Sequence, residues 1–250
     1  MFSRPGGAGL DKSTCAQVES VVAVLPSSER GNSTRVAILQ AAERVFAEQG
    51  FDRARLEDVA SEVGIRRASI VYYFRDKREL YHTVLADMFA EYAVGLESAL
   101  FGPGDVVERL EAAVVGWVDF VAARPTFARV LLRELADAGG DGLPGMVEHR
   151  GEAQKIVERF ASENSGDPLL SRIDVDPAHM VASVAGATLF LFVAMPALMP
   201  SGDFDPLEPA QVEAHRHEVL RTARRLMGTG LAVRTRPARA ERPPKPGRSK

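Results

Sequence analysis

The fold is decided by residues 33–80, which read STRVAILQAAERVFAEQGFDRARLEDVASEVGIRRASIVYYFRDKREL. Three short stretches with apolar residues at helical spacing lie in this segment, and Gly50 and Gly64 separate them. A segment this short, broken by two glycines, predicts three helices around a small core, the last two forming a helix-turn-helix. We expect such a unit to present one helix to a partner rather than to enclose a catalytic site.

The helix ends in this segment are marked by ordinary capping signals. Ser33 or Thr34 can cap the first helix, and we expect Gly50 to end it in the left-handed conformation. Asp76 with Glu79 is a capping box that begins a long fourth helix, which we expect to reach about residue 100. The first helix is predicted to begin near Ser33, the second to span about 56–63 and the third to span about 67–74.

The rest of the chain predicts further helices, because no stretch shows the period-2 alternation of a half-buried strand. Asp105, Pro125, Asp176-Pro177 and Pro209 mark the predicted starts of four of them. The stretch 180–199 carries no charged residue and reaches the length of a membrane span. Its small residues and Pro196 favour a buried helix instead. The predicted fold class is therefore all-α.

The net charge of −3 hides an uneven distribution along the chain. Residues 30–80 carry ten bases and eight acids, residues 81–233 carry twelve bases and twenty-two acids, and residues 234–250 carry seven bases and one acid. The first and last of these segments can approach a polyanion, whereas the acidic middle would be repelled by one. A single cysteine, Cys15, excludes an internal disulfide and fits a reducing cytoplasm.

Residues 33–80 resemble the N-terminal DNA-binding domain of the tetracycline-repressor (TetR) family of bacterial regulators. The resemblance covers about a fifth of the chain and lies in one register. Two positions depart from the family pattern: Arg55 stands where Ser or Thr is usual, and Val71 stands where an aromatic is usual. The matching motifs are Ala41-Ala42-x-x-x-Phe46, Gly50-Phe51, Asp58-Val59-Ala60, Gly64-Ile65, Tyr72-Tyr73-Phe74 and Lys77-x-x-Leu80.

The sequence divides into four segments: composition predicts the two disordered ends, and the resemblance implies the two domains between them. The segments are a disordered N-terminal extension at 1–30, a helix-turn-helix DNA-binding domain at 31–80, a helical ligand-binding and dimerisation domain at 81–233, and a basic disordered tail at 234–250. The tail is either a second DNA arm or a solubilising appendage. The implied function is a cytoplasmic, ligand-responsive transcriptional regulator, most often a repressor, that binds a near-palindromic double-stranded DNA operator as a homodimer and responds to a small apolar effector.

The third helix would then read DNA, because arginine is well shaped for a bidentate contact with guanine and small residues let a helix sit deep in the major groove. Tyrosines and a lysine at the start of the fourth helix can reach phosphates. The same residues could instead be ordinary solvated side chains. The predicted DNA-binding residues are Arg55, Arg66, Arg67, Ala68, Ser69, Tyr72, Tyr73 and Lys77.

The resemblance also implies a homodimer built from the last two long helices and an effector cavity in the middle region. The aromatic residues there are either plain core or lining of that cavity. The interface candidates are Ala182, Ala185, Gly186, Val193, Leu220, Ala223 and Met227, and the cavity candidates are Trp117, Phe120, Phe127, Phe160 and Phe190.

No nucleophile–base pair, paired carboxylates or phosphate loop indicates an enzyme, and no cofactor is expected. His215-x-His217 places two rings on different sides of a helix, which disfavours a metal site. Two alternatives from other classes stay open. One is a protein-interaction module that keeps the helix-turn-helix fold without operator binding, suggested by Arg55 and Val71. The other is a membrane-tethered regulator that uses residues 180–199; the favoured interpretation has no membrane contact.

Overall fold

The computed structural model describes residues 27–137, 144–168, 170, 176–199 and 204–228. No strand occurs among them, so the all-α prediction is confirmed. The predicted tail at 234–250 lies outside the described residues, as does all of the predicted extension before Ser27. The helices are α1 (Ser27–Arg53), α2 (Leu56–Val63), α3 (Arg67–Tyr73), α4 (Lys77–Leu100), α5 (Val106–Ala123), α6 (Pro125–Asp137), α7 (Pro144–Glu163), α8 (Pro177–Leu189), a π-helical segment (Phe190–Ala194), α9 (Met195–Leu198) and α10 (Pro209–Leu226).

Helix α1 begins at Ser27, six residues before the predicted start at Ser33. The buried face of α1 is the predicted one, with Ile38, Ala41 and Ala42 fully buried. Adding turns to an existing helix costs little once its nucleus has formed. For this reason the weak helix formers around residue 31 do not stop the helix.

Gly50 kinks the end of α1 with φ 78° and ψ 168°. The positive φ was expected, but the ψ lies in the extended mirror region and not in the left-handed helical region. Residues with a Cβ essentially never adopt this conformation. The chain therefore turns sharply at Gly50, and the amide of Ala54 donates back to the Gly50 carbonyl at 3.2 Å.

Helices α2 and α3 form the predicted helix-turn-helix around Gly64. Gly64 adopts the left-handed conformation (φ 76°, ψ 27°), and the amide of Ile65 donates to the Ala60 carbonyl at 2.9 Å. Helix α4 begins as predicted, because Asp76 Oδ1 accepts from the Glu79 amide at 2.8 Å. Hydrogen bonding from that amide lowers the pKa of the Asp76 carboxyl.

The helix predicted to start at Asp176-Pro177 and to include residues 180–199 is interrupted by the π-helical segment, in which each turn holds an extra residue. Pro196 explains the interruption, because it has no N–H to donate to the carbonyl four residues earlier, and its ring collides with that carbonyl. The start is as predicted, with Asp176 Oδ1 accepting from the Ala178 amide at 2.7 Å.

The chain divides into two compact units, Met1–Val94 with Ala123–Ile156, and Gly95–Ala122 with Val157–Lys250. In the described part of the first unit, buried apolar residues lie on α1, α2, α3, α4 and α6, and α1 packs on both α2 and α6. In the second, α8 packs on α10, and the buried Thr188 hydroxyl lies 3.1 Å from His215 Nε2. The predicted boundary between residues 80 and 81 falls inside α4 and stays a prediction.

Candidate nucleic-acid interface

Helix α3 has one buried side and one side that is open to solvent. Ile70 and Phe74 are buried in the core, and they fix which way the helix faces. The outward side carries two bases and no acid. Its exposed residues are Arg66, Arg67, Ala68, Val71 and Tyr72.

Arg67 is held by a weak surface ion pair. Its Nε lies 3.1 Å from Glu57 Oε1 on α2, and both side chains are about three-fifths exposed. Such exposed pairs contribute about 0–1 kcal/mol. The guanidinium can therefore leave Glu57 for a base edge at little cost.

The two tyrosines of α3 differ in exposure. Tyr72 is 84% exposed, whereas Tyr73 and Ser69 are half-buried. The two rings meet edge to face with centroids 5.2 Å apart, and the Tyr73 hydroxyl points towards Gly31 on α1. Contact between the rings limits the freedom of Tyr72 while leaving its hydroxyl open to a partner.

Arg55 occupies the N-cap of α2, and its side chain makes no capping bond. An arginine has no acceptor to offer the helix amides. Asp58 compensates in part, because its Oδ2 accepts from the Arg55 amide at 3.2 Å. The Arg55 side chain is exposed, and its DNA contact stays a prediction.

Lys77 does not extend towards solvent as a phosphate contact would require. Its Nζ donates to the carbonyl oxygens of Phe51, Asp52 and Ala54 at 2.7, 3.1 and 3.1 Å. These three bonds use all the donors of the ammonium. The geometry thus disfavours the predicted DNA contact at this residue.

Of the predicted cavity residues, Phe127 lies in the first unit, and Trp117, Phe120, Phe160 and Phe190 lie in the second. Trp117, Phe127 and Phe160 are buried, Phe120 is half-buried and Phe190 is 52% exposed. Phe127 borders an apolar pocket beside Met88 and Phe89 that has no room for a water molecule. The assignment of these residues to an effector site stays a prediction.

A cavity of about 380 Å³ lies elsewhere, between α1, α4 and the start of α6. It is lined by apolar residues on α1 and by an ionic cluster, which we call the Arg124 node: Arg124 with Glu43, Asp87 and Glu91. Arg124 Nη2 lies 2.6 Å from Glu43 Oε2 and 2.8 Å from Asp87 Oδ2, and Nη1 pairs with Glu91. Burial alone would lower the pKa of the Arg124 guanidinium, but bonding and attraction from the carboxylates outweigh it and raise that pKa.

The Arg124 node was not predicted from the sequence. Glu43 and Arg124 are 81 residues apart, and no local spacing rule connects residues at such a distance. One signal was present: Glu43 follows two alanines of the buried stripe of α1, so a charge there needs a buried partner.

The predicted interface residues fall into three groups by exposure. Ala182 and Gly186 are exposed on α8, while Ala185, Val193 and Leu220 are half-buried. Ala223 and Met227 are buried within this chain and offer no surface to a second copy. Ala223 on α10 and Met227 directly after it therefore face the interior of the chain.

Residues 178–198 are long and apolar enough to cross a membrane by length and composition, and 22% of the most apolar window is buried. Val181 and Leu198 are each 64% exposed. Within the described ranges, no group of three or more His, Cys, Asp or Glu side chains could hold a metal ion.

The sequence model of bacterial regulatory proteins of the tetR family matches residues 38–84. The repressor BepR of Brucella suis biovar 1 is 31% identical over 90 residues, which cover 36% of this chain and 43% of BepR. The uncharacterised regulator TtgW of Pseudomonas putida is 30% identical over 117 residues, which cover 46% of this chain and 84% of TtgW.

Similarity of fold extends further than similarity of sequence. The regulator FadR of Bacillus subtilis, solved with stearoyl-CoA, superposes with a TM-score of 0.58 at 18% identity, over 78% of this chain and 98% of FadR. By contrast, the matches to the first curated relatives span 42 to 50% of those proteins. The helix-turn-helix, its register and the match across most of TtgW agree: the chain belongs to the tetR family of bacterial regulatory proteins.

Proposed function

We propose that the chain is a DNA-binding transcriptional regulator, a ligand-responsive repressor that binds a near-palindromic operator as a homodimer. The observation that carries the proposal is the outward side of α3, which presents two arginines and a tyrosine from a helix fixed by Ile70 and Phe74. BepR and TtgW, two relatives of this chain, are named as transcriptional regulators, and the proposed function includes no enzymatic activity.

The proposed base contacts come from Arg66 and Arg67 at the N-terminal end of α3, which is the end that meets base edges in this motif. Ala68 and Ser69 are small enough to let the helix approach closely. Tyr72 and Tyr73 would bind phosphates on either side. We propose a phosphate contact for Arg55 but not for Lys77. All three donors of the Lys77 ammonium bond to carbonyl oxygens of the chain itself.

The proposed second copy binds against α8 and the segment that follows it. Val181, Phe190 and Leu198 leave an apolar surface uncovered, and Ala182 and Gly186 would let a partner helix come close. A bilayer is a poor occupant of this surface. Helix α10, which packs on α8, carries the exposed ion pair of Arg221 and Glu218, which hydrocarbon would not accept.

The Arg124 node supplies a physical route for regulation within the first unit. It joins the junction of α5 and α6 to α1, through Glu43, and to α4, through Asp87 and Glu91. A shift of that junction on effector binding would therefore move α1 or break the node. Release follows if the effector binds better to the conformation that reads DNA poorly.

The effector is proposed to be a small molecule that binds through an apolar group. Because FadR of Bacillus subtilis was solved with stearoyl-CoA, a long-chain acyl-CoA is the first ligand to test. Stearoyl-CoA should release the chain from its operator while coenzyme A alone should not. Equal behaviour of the two would remove this class of effector and leave the DNA-binding proposal intact.

The DNA-binding proposal is tested by selecting duplexes from a random library with the full chain. We expect near-palindromes whose half-sites lie one turn, about 34–36 Å, apart. Arg67→Ala should weaken binding to the selected duplex by about 1–3 kcal/mol and relax one base position. Enrichment of no sequence at all would favour the protein-interaction alternative.

A further inference from the structure

Lys77 lies in the first turn of α4, where a cation is disfavoured by the positive end of the helix dipole. Its surroundings explain why a lysine is tolerated there. The Nζ atom lies 2.7 Å from the Phe51 carbonyl oxygen and 3.1 Å from those of Asp52 and Ala54. These oxygens belong to the end of α1 and the residue just beyond it.

The end of a helix leaves carbonyl oxygens that have no partner within the helix. At the kinked end of α1, the Glu48 carbonyl accepts from Arg133 Nη2 at 2.8 Å and the Gln49 carbonyl accepts from Arg53 Nε at 3.2 Å. Lys77 donates to the three carbonyl oxygens named above, which come later in the chain. Since the C-terminal end of a helix is its negative end, the ammonium is favourably placed.

The aromatic neighbours of Lys77 strengthen the same connection. Its Nζ lies 4.5 Å from the centroid of the Phe51 ring, within the range of a cation–π contact. The Phe51 ring also packs on Tyr81, one turn further along α4, with centroids 4.9 Å apart. The first two turns of α4 thus contact the end of α1 through one charged and one aromatic interaction.

The sequence positions of the contacting residues indicate their structural role. Ala54 directly precedes Arg55, the N-cap of α2, and Lys77 follows the last residue of α3 by four positions. Lys77 therefore joins the two ends of the helix-turn-helix. We propose that Lys77 is a positioning residue that fixes the helix-turn-helix against α1, and that it does not bind a DNA phosphate.

The two roles predict different behaviour on DNA, given the proposed operator binding. A phosphate contact contributes equally on all sequences, and its loss lowers the salt dependence of binding by about one unit of slope. A positioning residue sets the angle at which α3 reaches base edges. Its loss should weaken binding to the selected duplex more than to unrelated DNA, with the salt slope unchanged.

Three variants separate the roles. Lys77→Met removes the charge and all three donors. Lys77→Arg keeps the charge and could still bind a phosphate, but its planar fork cannot direct three N–H groups at three converging carbonyls. Arg78→Met is the matched control, because it removes an exposed base one residue further along α4.

We expect Lys77→Met and Lys77→Arg each to lower the melting temperature of the full chain by about 4–8 °C, and Arg78→Met to leave it within about 1 °C. Both Lys77 variants should bind the selected duplex about tenfold more weakly, with the wild-type slope of affinity against salt. Should Lys77→Met not fold, Lys77→Arg carries the comparison.

Wild-type melting and operator affinity in Lys77→Arg, together with a salt slope reduced by about one in Lys77→Met, would make Lys77 a phosphate contact and end the proposal. An unchanged melting temperature in both variants would end it as well. The measurements of melting temperature need no DNA. Failure of the wild-type chain to select any duplex would thus refute the proposed function while leaving the structural role of Lys77 to be decided by melting.

Discussion

Removing the Arg124 side chain should strongly destabilise the first unit. The Arg124 side chain is 16% exposed and forms a two-pronged pair with Glu43, whose side chain is 11% exposed. In Arg124→Met the apolar stem of the residue is largely retained while the guanidinium is lost. The consequence is a carboxylate on α1 that stays buried without its cation.

The magnitude follows from how deeply each carboxylate lies. Removing one partner of a buried ion pair typically costs about 3–5 kcal/mol. Asp87 and Glu91 are more than half exposed and regain water, so each adds at most about 1 kcal/mol. Glu43 keeps the hydroxyl of Thr126 as a donor, which reduces the loss. We therefore expect about 3 kcal/mol overall, or a fall in melting temperature of about 6–12 °C.

Urea unfolding followed by circular dichroism measures this loss, and two further variants define its origin. Arg221→Met is the control, because Arg221 and its partner Glu218 are both 58% exposed and their pair should contribute under about 1 kcal/mol. Glu43→Gln combined with Arg124→Met should recover about half of the loss or more, since no buried charge remains. The reasoning is refuted if Arg124→Met costs no more than Arg221→Met, or if the double variant is no more stable than Arg124→Met alone.

Gly50→Ala should destabilise the chain by about 1–3 kcal/mol in urea unfolding, because φ 78° with ψ 168° is a conformation for glycine alone; an unchanged midpoint would contradict that backbone geometry. Arg55→Thr should stabilise it by about 1 kcal/mol, seen as a raised melting temperature, since a hydroxyl would cap α2 where only Asp58 now acts; a lowered melting temperature would show that the guanidinium itself stabilises the helix. Burial lowers the pKa of His215 in the folded chain, so the unfolded chain binds a proton more readily and stability should fall as pH drops below about 6.5. His215→Gln should reduce this fall between pH 7 and pH 5, and equal profiles for the variant and the wild type would contradict it.

The sequence was most informative where structure depends on neighbouring residues. The turn at Gly64 and the cap at Asp76 follow from local backbone chemistry, and the structure confirms both. The buried stripe of α1 follows from helical periodicity. These features suffice to predict the helix-turn-helix.

Features that depend on distant residues or on subtle local strain could not be predicted in the same way. Whether Lys77 reaches outward or turns inward depends on the carbonyls that the kink at Gly50 leaves open, and periodicity does not reveal them. The Arg124 node joins residues far apart in sequence. Ala223 and Met227 belong to an apolar stripe that can pack either within the chain or against a second copy, and the sequence does not indicate which. The structure buries both residues within the chain.

The claim that α3 reads DNA is tested most directly by the ratio of affinities for the selected duplex and for a scrambled duplex of the same composition at physiological salt. The account predicts a ratio of at least about 10³ for the wild-type chain. It predicts a ratio at least tenfold smaller for Arg67→Ala, with binding to the scrambled duplex little changed. Equal affinity of the wild-type chain for both duplexes would contradict the claim.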